Sequence, residues 1–128
     1  MEIVTENPIS LAWIGDAIYS LKARNHILNK GIQKPAAFER ASAKICSARG
    51  QAAILNELNQ RNFFLEDEEE MLRRGRNANV NTTAKNADRK TYMQATALEC
   101  LVGYLSRYHH EERLNQLLDL CMEIGDTL

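Results

Sequence analysis

The sequence is poor in proline, glycine and aromatic residues. In 128 residues there are two prolines, six glycines and only 6% aromatic residues, beside 45% hydrophobic and 26% charged residues. This composition excludes a collagen-like, low-complexity or intrinsically disordered chain. No run approaches the roughly 18 apolar residues of a membrane span, and no basic-then-apolar leader opens the chain. We therefore expect one domain, residues 1–128, in the cytoplasm.

Cysteine is scarce as well. Cys46, Cys100 and Cys121 are an odd number at wide spacings, with no CxxC pair and no histidine cluster beside them. The spacing favours neither a zinc site nor a disulfide framework, so we expect reduced, buried side chains. The motifs of serine hydrolases, P-loop proteins and zinc peptidases are also missing, which leaves those chemistries without support.

Sustained period-two alternation is absent, whereas apolar residues recur at helical spacing, which predicts an all-α fold. In the first helix the predicted apolar face is Ile14, Ile18, Leu21 and Leu28. We expect helical regions at residues 8–29, 35–58 with an interruption or a bend near Gly50, 65–74, 88–108 and 111–124, and a main loop at 75–87.

The net charge of -1 gives no direct indication of a nucleic-acid or membrane partner. This small net charge nevertheless conceals two segments of opposite charge. Residues 66–70 are all acidic and are expected to be a solvated helix start, since a helix dipole favours negative charge there. Residues 73–90 carry six basic residues and one acid, a net +5. This basic segment either reaches phosphate oxygens or merely balances the preceding acids.

Two acids lie inside apolar stretches without a basic neighbour. No lysine or arginine stands three or four residues from Asp16 or from Glu99. Because a desolvated, unpaired carboxylate is costly, each acid needs solvent, a distant arginine or a bound cation. The small residues around both acids leave room for a hydrated ion such as Mg²⁺. Trp13, Tyr19 and Tyr92 could stack on a base, but aromatic residues at helical spacing more often belong to the core.

These residues carry a resemblance to a known family. Residues 11–19, LAWIGDAIY, resemble the signature helix of the ribonuclease III superfamily, and residues 97–105, ALECLVGYL, resemble its later metal-binding helix. With RGRNA at 74–78 and Lys85-Asn86 between them, the chain specifically resembles the compact Mini-ribonuclease III branch, which lacks a double-stranded-RNA-binding domain. Larger relatives carry further carboxylates at the positions of Ile9, Ala12 and Thr96, a reduction that the compact branch shares.

The resemblance implies a single ribonuclease III-like endonuclease domain that forms a homodimer and needs Mg²⁺. It implies cleavage of double-stranded RNA, with 5′-phosphate and 3′-hydroxyl ends, in maturation of the bacterial large-subunit (23S) ribosomal RNA precursor. Asp16 and Glu99 would be both the catalytic residues and the metal ligands. The alternatives are a non-catalytic RNA-binding or ribosome-assembly module and a helical scaffold that binds only protein. The candidate RNA-binding residues are Arg74, Arg76, Asn77, Lys85, Asn86 and Arg89.

Overall fold

The structure, a computed structural model, describes residues 1–78 and 87–128. Within those ranges it contains six helices and no strand, which confirms the all-α prediction. The candidate residues Lys85 and Asn86 lie outside the described residues. The helices are α1 Pro8–Asn29, α2 Pro35–Cys46, α3 Ala48–Gln60, α4 Glu66–Arg76, α5 Ala87–Arg107 and α6 Glu111–Gly125.

Helix α5 is the centre of the fold. Side chains on nearly all sides of its second half are buried, and it packs against α1, α3, α4 and α6. A helix that is apolar all round must be enclosed by other elements, and here α5 is surrounded by four helices. Neither α5 nor any other helix in the described part of the chain is long and apolar enough to cross a bilayer.

The interruption predicted near Gly50 is confirmed, but its position is wrong: two helices occupy residues 35–58, and the break between them is at Ser47. Ser47 adopts an extended conformation, and its hydroxyl accepts a hydrogen bond at 3.0 Å from the Gly50 amide, which caps α3. Gly50 instead allows close approach: a Cβ atom there would lie 2.2 Å from the Lys44 carbonyl oxygen. The two helices therefore meet in a tight corner.

The apolar face predicted for α1 is also wrong. Leu21 and Leu28 are exposed, and Ile14 and Ile18 are only partly buried. Apolar residues occur on several sides of α1, so their spacing does not decide which side packs inward. The contact with α5 decides it, and the fully or nearly buried side chains of α1 include Leu11, Ala12, Tyr19, Ala23 and Ile27.

The acidic block is not simply a solvated helix start. Glu68 is only 1% exposed, and its carboxylate accepts hydrogen bonds from Arg113 of α6 at 2.6 and 2.8 Å. The Arg113 guanidinium also lies 4.1 Å from the centre of the Phe63 ring and donates to the Phe63 carbonyl. A buried carboxylate requires such a partner, and this pair ties the start of α4 to α6.

Helix α4 extends into the predicted loop, since Gly75 and Arg76 are helical. A Cβ atom at Gly75 would lie 2.8 Å from Ala97 Cα and from Cys100 Cβ, so only glycine permits this approach of α4 to α5. Tertiary packing therefore overrides the weak helix propensity of glycine. Residues 79–86 of the predicted loop lie outside the described residues, and Ala87 already begins α5.

All three cysteines are free, as predicted. Cys100 and Cys121 are buried, and burial raises the pKa of the Cys100 thiol to about 12. Cys46 is only partly buried, at the end of α2, because it lies at the corner between α2 and α3.

Candidate active site

Two glycines bring α1 and α5 into backbone contact. A Cβ atom at Gly15 would lie 1.8 Å from the Glu99 carbonyl oxygen, and one at Gly103 would lie 2.0 Å from the Leu11 carbonyl oxygen. No side chain fits at either point, so the crossing requires glycine on both helices. Asp16 follows Gly15 directly, and the crossing therefore places its carboxylate beside Glu99.

The two acids form a close pair. Asp16 is exposed and Glu99 partly buried, and their side chains are within hydrogen-bonding reach of each other. Burial, the hydrogen bond with Asp16 and the Asp16 charge together raise the pKa of Glu99 to about 8, although the hydrogen bond from Gln51 opposes them. Two carboxylates this close share a proton when no cation separates them. A cation between the two carboxylates would take the place of that proton.

Neither acid is neutralised by a basic side chain. Within residues 1–78 and 87–128, no lysine, arginine or histidine forms an ion pair with Asp16 or Glu99, although ten other ion pairs are present. A distant arginine, the ordinary explanation for a buried acid, is therefore not observed in this part of the chain. The pair has the uncompensated charge that a divalent cation would neutralise.

The donor set suits a hard, hydrated cation. No group of three or more acidic, histidine or cysteine side chains among the described residues could hold a metal, so the protein offers two carboxylates at this point. The nearby Thr96 hydroxyl donates to the Tyr92 carbonyl oxygen of its own helix at 3.0 Å. Mg²⁺ retains several waters and is bound through one or two carboxylates plus phosphate oxygens. The residues present therefore fit Mg²⁺.

The pair lies in a surface cleft of about 300 Å³. Trp13 and Tyr92 stand at its rim, and both are exposed, Trp13 to 79%. The expectation that these aromatic residues belong to the core is wrong for both, whereas Tyr19 is buried and donates to the Ile45 carbonyl at 2.7 Å. The cleft thus combines two acids with exposed aromatic surface, and its remaining lining residues are Ile9, Ala12 and Thr96.

The corner between α2 and α3 lies beside the pair. Gln51 is 3% exposed, and its Nε2 amide donates to Glu99 Oε2 at 3.4 Å. Burial and the charges of Asp16 and Glu99 raise the pKa of the Cys46 thiol, while Arg24 opposes them. Sequence analysis missed Gln51. Its signal is a polar residue on the apolar face of α3, three and four residues before the buried Ile54 and Leu55.

The predicted RNA-binding residues divide into two groups. Arg74 is held by Glu70, with 2.8 Å between Nε and Oε2, and Arg73 pairs with the same carboxylate. These two guanidinium groups lower the pKa of Glu70 to about 2. Arg76 and Arg89 line a common cavity of about 260 Å³ with Lys90, and Asn77 is exposed at the end of α4. The structure therefore groups Arg76 and Arg89 but commits Arg74 to an ion pair.

A second set of basic residues was missed by sequence analysis. Their side chains are exposed, and none of them forms an ion pair with another described residue. The signal is weak because the residues are dispersed along the sequence and not concentrated in one block. Arg24 lies two turns after Asp16 on the same side of α1, and the others belong to α2 and the start of α3. The set is Arg24, Arg40, Lys44 and Arg49.

Comparison with known proteins identifies the family. The Ribonuclease III domain family matches residues 9–107. The chain is 39% identical over 122 residues to Mini-ribonuclease 3 of Enterococcus faecalis, covering 94% of this chain and 92% of the relative. It is 40% identical over 117 residues to Mini-ribonuclease 3 of Streptococcus pneumoniae, covering 91% of each.

A solved structure agrees with this assignment. The crystal structure of a protein from Fusobacterium nucleatum matches with a TM-score of 0.78 and 26% identity, over 91% of this chain and 93% of that one. The sequence matches extend over both helices that carry the acidic pair. The chain therefore belongs to the Mini-ribonuclease 3 family of the ribonuclease III superfamily, hydrolases that cut double-stranded RNA internally.

Proposed function

We propose that this double-strand-specific endoribonuclease is dependent on Mg²⁺ and that Asp16 and Glu99 are its catalytic residues and metal ligands. The observation that carries the proposal is the carboxylate pair itself, which is held together by the glycines of the α1–α5 crossing and has no basic partner among the described residues. A scaffold would have no use for two acids forced together at a solvent cleft. A carboxyl group in a cleft with a strongly raised pKa, as Glu99 has, is typical of functional sites.

The chemistry follows from the arrangement of charge. Asp16 and Glu99 would hold the ion, and the cleft leaves its remaining positions to water and to an RNA phosphate. When bound, Mg²⁺ supplies neutralising charge for the phosphodiester and lowers the pKa of water. The two acids must give up their shared proton to bind it. Hydrolysis at the 3′ oxygen would leave 5′-phosphate and 3′-hydroxyl ends.

Cleavage of a labelled duplex tests this proposal. We expect purified protein with Mg²⁺ to cut a long RNA duplex to products with 5′-phosphate ends and to leave the same strand uncut when it is single-stranded. Chelation by EDTA should abolish cleavage, and added Mg²⁺ should restore it. Cleavage that is undiminished in EDTA would contradict the metal dependence.

We further propose that RNA is bound by two sets of basic residues outside the acidic cleft. The first consists of Arg76 and Arg89, with Lys90 beside them. The predicted Asn77, Lys85 and Asn86 would extend it, whereas Arg74 contributes less because Glu70 holds it. The second set is Arg24, Arg40, Lys44 and Arg49, near the α2–α3 corner. A-form RNA is bound mainly through phosphates and 2′-hydroxyls, which suits dispersed cations.

Replacing Arg76 with glutamine should weaken duplex binding and make it less dependent on salt. Each lost phosphate contact flattens the slope of log K against log salt by about one unit. Fluorescence anisotropy with a cleavage-defective Asp16→Asn background measures both quantities. Arg61→Gln is the control, because Arg61 pairs with Glu57 at the end of α3 and should leave the slope unchanged. Equal slopes for both variants would contradict a phosphate contact at Arg76.

We also propose that the enzyme is a homodimer that uses the exposed apolar stripe of α1. Trp13, Ala17, Leu21 and Leu28 recur at helical spacing and are all exposed. Exposed apolar stripes of this kind mark interaction surfaces. Since Trp13 also lines the cleft, a second copy on this stripe would bring two acidic pairs to one duplex, one for each strand.

Replacing Trp13 with glutamate should shift the protein from dimer to monomer at micromolar concentration. A buried aromatic anchor at an interface contributes at least about 2 kcal/mol, and a charge in its place adds a desolvation cost. Sedimentation equilibrium measures the change. Ile3→Glu is the control, because Ile3 is 86% exposed in the N-terminal segment. A wild-type monomer, or an unchanged Trp13→Glu dimer, would contradict the proposal.

The natural substrate that we propose is the precursor of the large-subunit ribosomal RNA, which implies action in the bacterial cytoplasm. The support is the similarity of nearly the whole chain to relatives named Mini-ribonuclease 3. Cleavage of the duplex formed by the two ends of precursor 23S RNA, compared with an unrelated duplex of equal length, measures this preference.

A further inference from the structure

Gln51 stands out among the buried polar side chains. The described core contains three such residues, Gln51, Glu68 and Thr96. Glu68 is held by Arg113, and the Thr96 hydroxyl bonds to a carbonyl of its own helix. Gln51 instead directs its amide at Glu99, a residue of the proposed metal site. Burying an amide costs free energy unless it is hydrogen-bonded, so its position demands an explanation.

The position of Gln51 is fixed by local structure. Its backbone amide donates to the Ser47 carbonyl at 2.9 Å in the first turn of α3, and the Ser47 hydroxyl caps that turn. Helix α3 packs directly against α5, which carries Glu99. The amide is therefore presented to Glu99 from a rigid corner of the fold and not from a loop.

The chemistry of an amide suits this location. A carboxylate has two oxygens, and a donor that holds one of them restricts rotation of the group while the other stays free. An arginine or lysine here would form an ion pair and compete with a cation. The neutral amide orients Glu99 without cancelling its charge. Hydrogen bonds to metal-ligating carboxylates characteristically tune metal affinity in this way.

We propose that Gln51 is a positioning residue for the metal site, and that its buried amide orients the Glu99 carboxylate to receive a divalent cation together with Asp16. The inference rests on the proposed function, because it assumes that the acidic pair binds metal. It adds a third residue, from a third helix, to a site whose sequence motifs lie only on α1 and α5.

Binding of Mn²⁺ alone to RNA-free protein, followed by electron paramagnetic resonance, tests the inference. Gln51→Met keeps the length of the side chain but removes the donor, and we expect Mn²⁺ affinity to fall about 10–100-fold. Gln51→Asn keeps a polar amide, but its side chain is one methylene shorter. We expect its Mn²⁺ affinity to fall as well. Gln60→Met, at the exposed end of α3, is the control and should bind as the wild type does.

A second readout separates positioning from general loss of structure. Cleavage by Gln51→Met should recover toward the wild-type rate as the Mg²⁺ concentration is raised, because the defect is in affinity for the metal. Its thermal midpoint should be close to that of Gln51→Asn. Wild-type Mn²⁺ affinity in both Gln51 variants would overturn this inference and leave the proposed function intact. A wild-type protein that binds no Mn²⁺ and cuts no duplex would overturn both.

Discussion

Asp16→Asn is expected to reduce the cleavage rate of a long RNA duplex by about 10³-fold or more. Removing one neutral donor to a transition state costs about 10²–10³-fold, and this change removes a full charge from the metal site. Folding should not suffer, because the substitution removes the Asp16 charge, which adds to the effect of burial in raising the pKa of Glu99. Initial rates at saturating Mg²⁺, with the thermal midpoint measured on the same samples, test both parts.

Asp119→Asn is the control for this variant. Asp119 is exposed on α6 and pairs with Lys22 at 2.6 Å, and neither residue lines the cleft, so the same chemical change occurs outside it. Exposed pairs contribute little to stability, and its activity should match that of the wild type. Glu99→Gln should lose cleavage as Asp16→Asn does. An Asp16→Asn enzyme that retains wild-type rates would show that the pair is not the metal site.

Gly15→Ala is expected to destabilise the protein by about 1–3 kcal/mol or more and to impair cleavage as well. The added methyl group would lie 1.8 Å from the Glu99 carbonyl oxygen, which is backbone and cannot rotate away. Helices α1 and α5 must therefore separate, and Asp16 moves away from Glu99. Urea denaturation and Mn²⁺ binding measure the two consequences on one preparation.

Two further glycine variants distinguish the clash from a general effect of alanine. Gly103→Ala meets the Leu11 carbonyl at 2.0 Å in the same crossing and should behave like Gly15→Ala. Gly31 has open space around it and a φ of 87°, so Gly31→Ala should cost about 1–2 kcal/mol through backbone strain and leave cleavage intact. Normal stability and activity of Gly15→Ala would contradict the crossing geometry.

Much of the fold was predictable because its signals are local. Pro8 after the capping Asn7, Gly31 at the far end and regular apolar spacing bound α1 within a residue or two. Asp16 and Glu99 could also be predicted as candidate site residues, because the sequence shows that neither has a lysine or arginine three or four residues away. What the sequence could not predict depends on contacts between distant segments.

Three residues illustrate that limit. Trp13 has the spacing of a core residue, yet the glycine crossing turns the opposite side of α1 inward. Glu68 belongs to a block that looks solvated, but Arg113, 45 residues later, makes its burial possible. Gln51 is an ordinary helical residue until α3 is placed against α5. In each case the partner is remote in sequence, so periodicity and composition carry no information about it.

The most direct test of the acidic pair as a metal centre is anomalous X-ray scattering from a crystal soaked in Mn²⁺. We expect a peak in the anomalous difference map between the Asp16 and Glu99 carboxylates, and its loss in a crystal of Asp16→Asn soaked identically. A wild-type map with no peak at this pair, in a crystal form that leaves the cleft open, would contradict the assignment of the site.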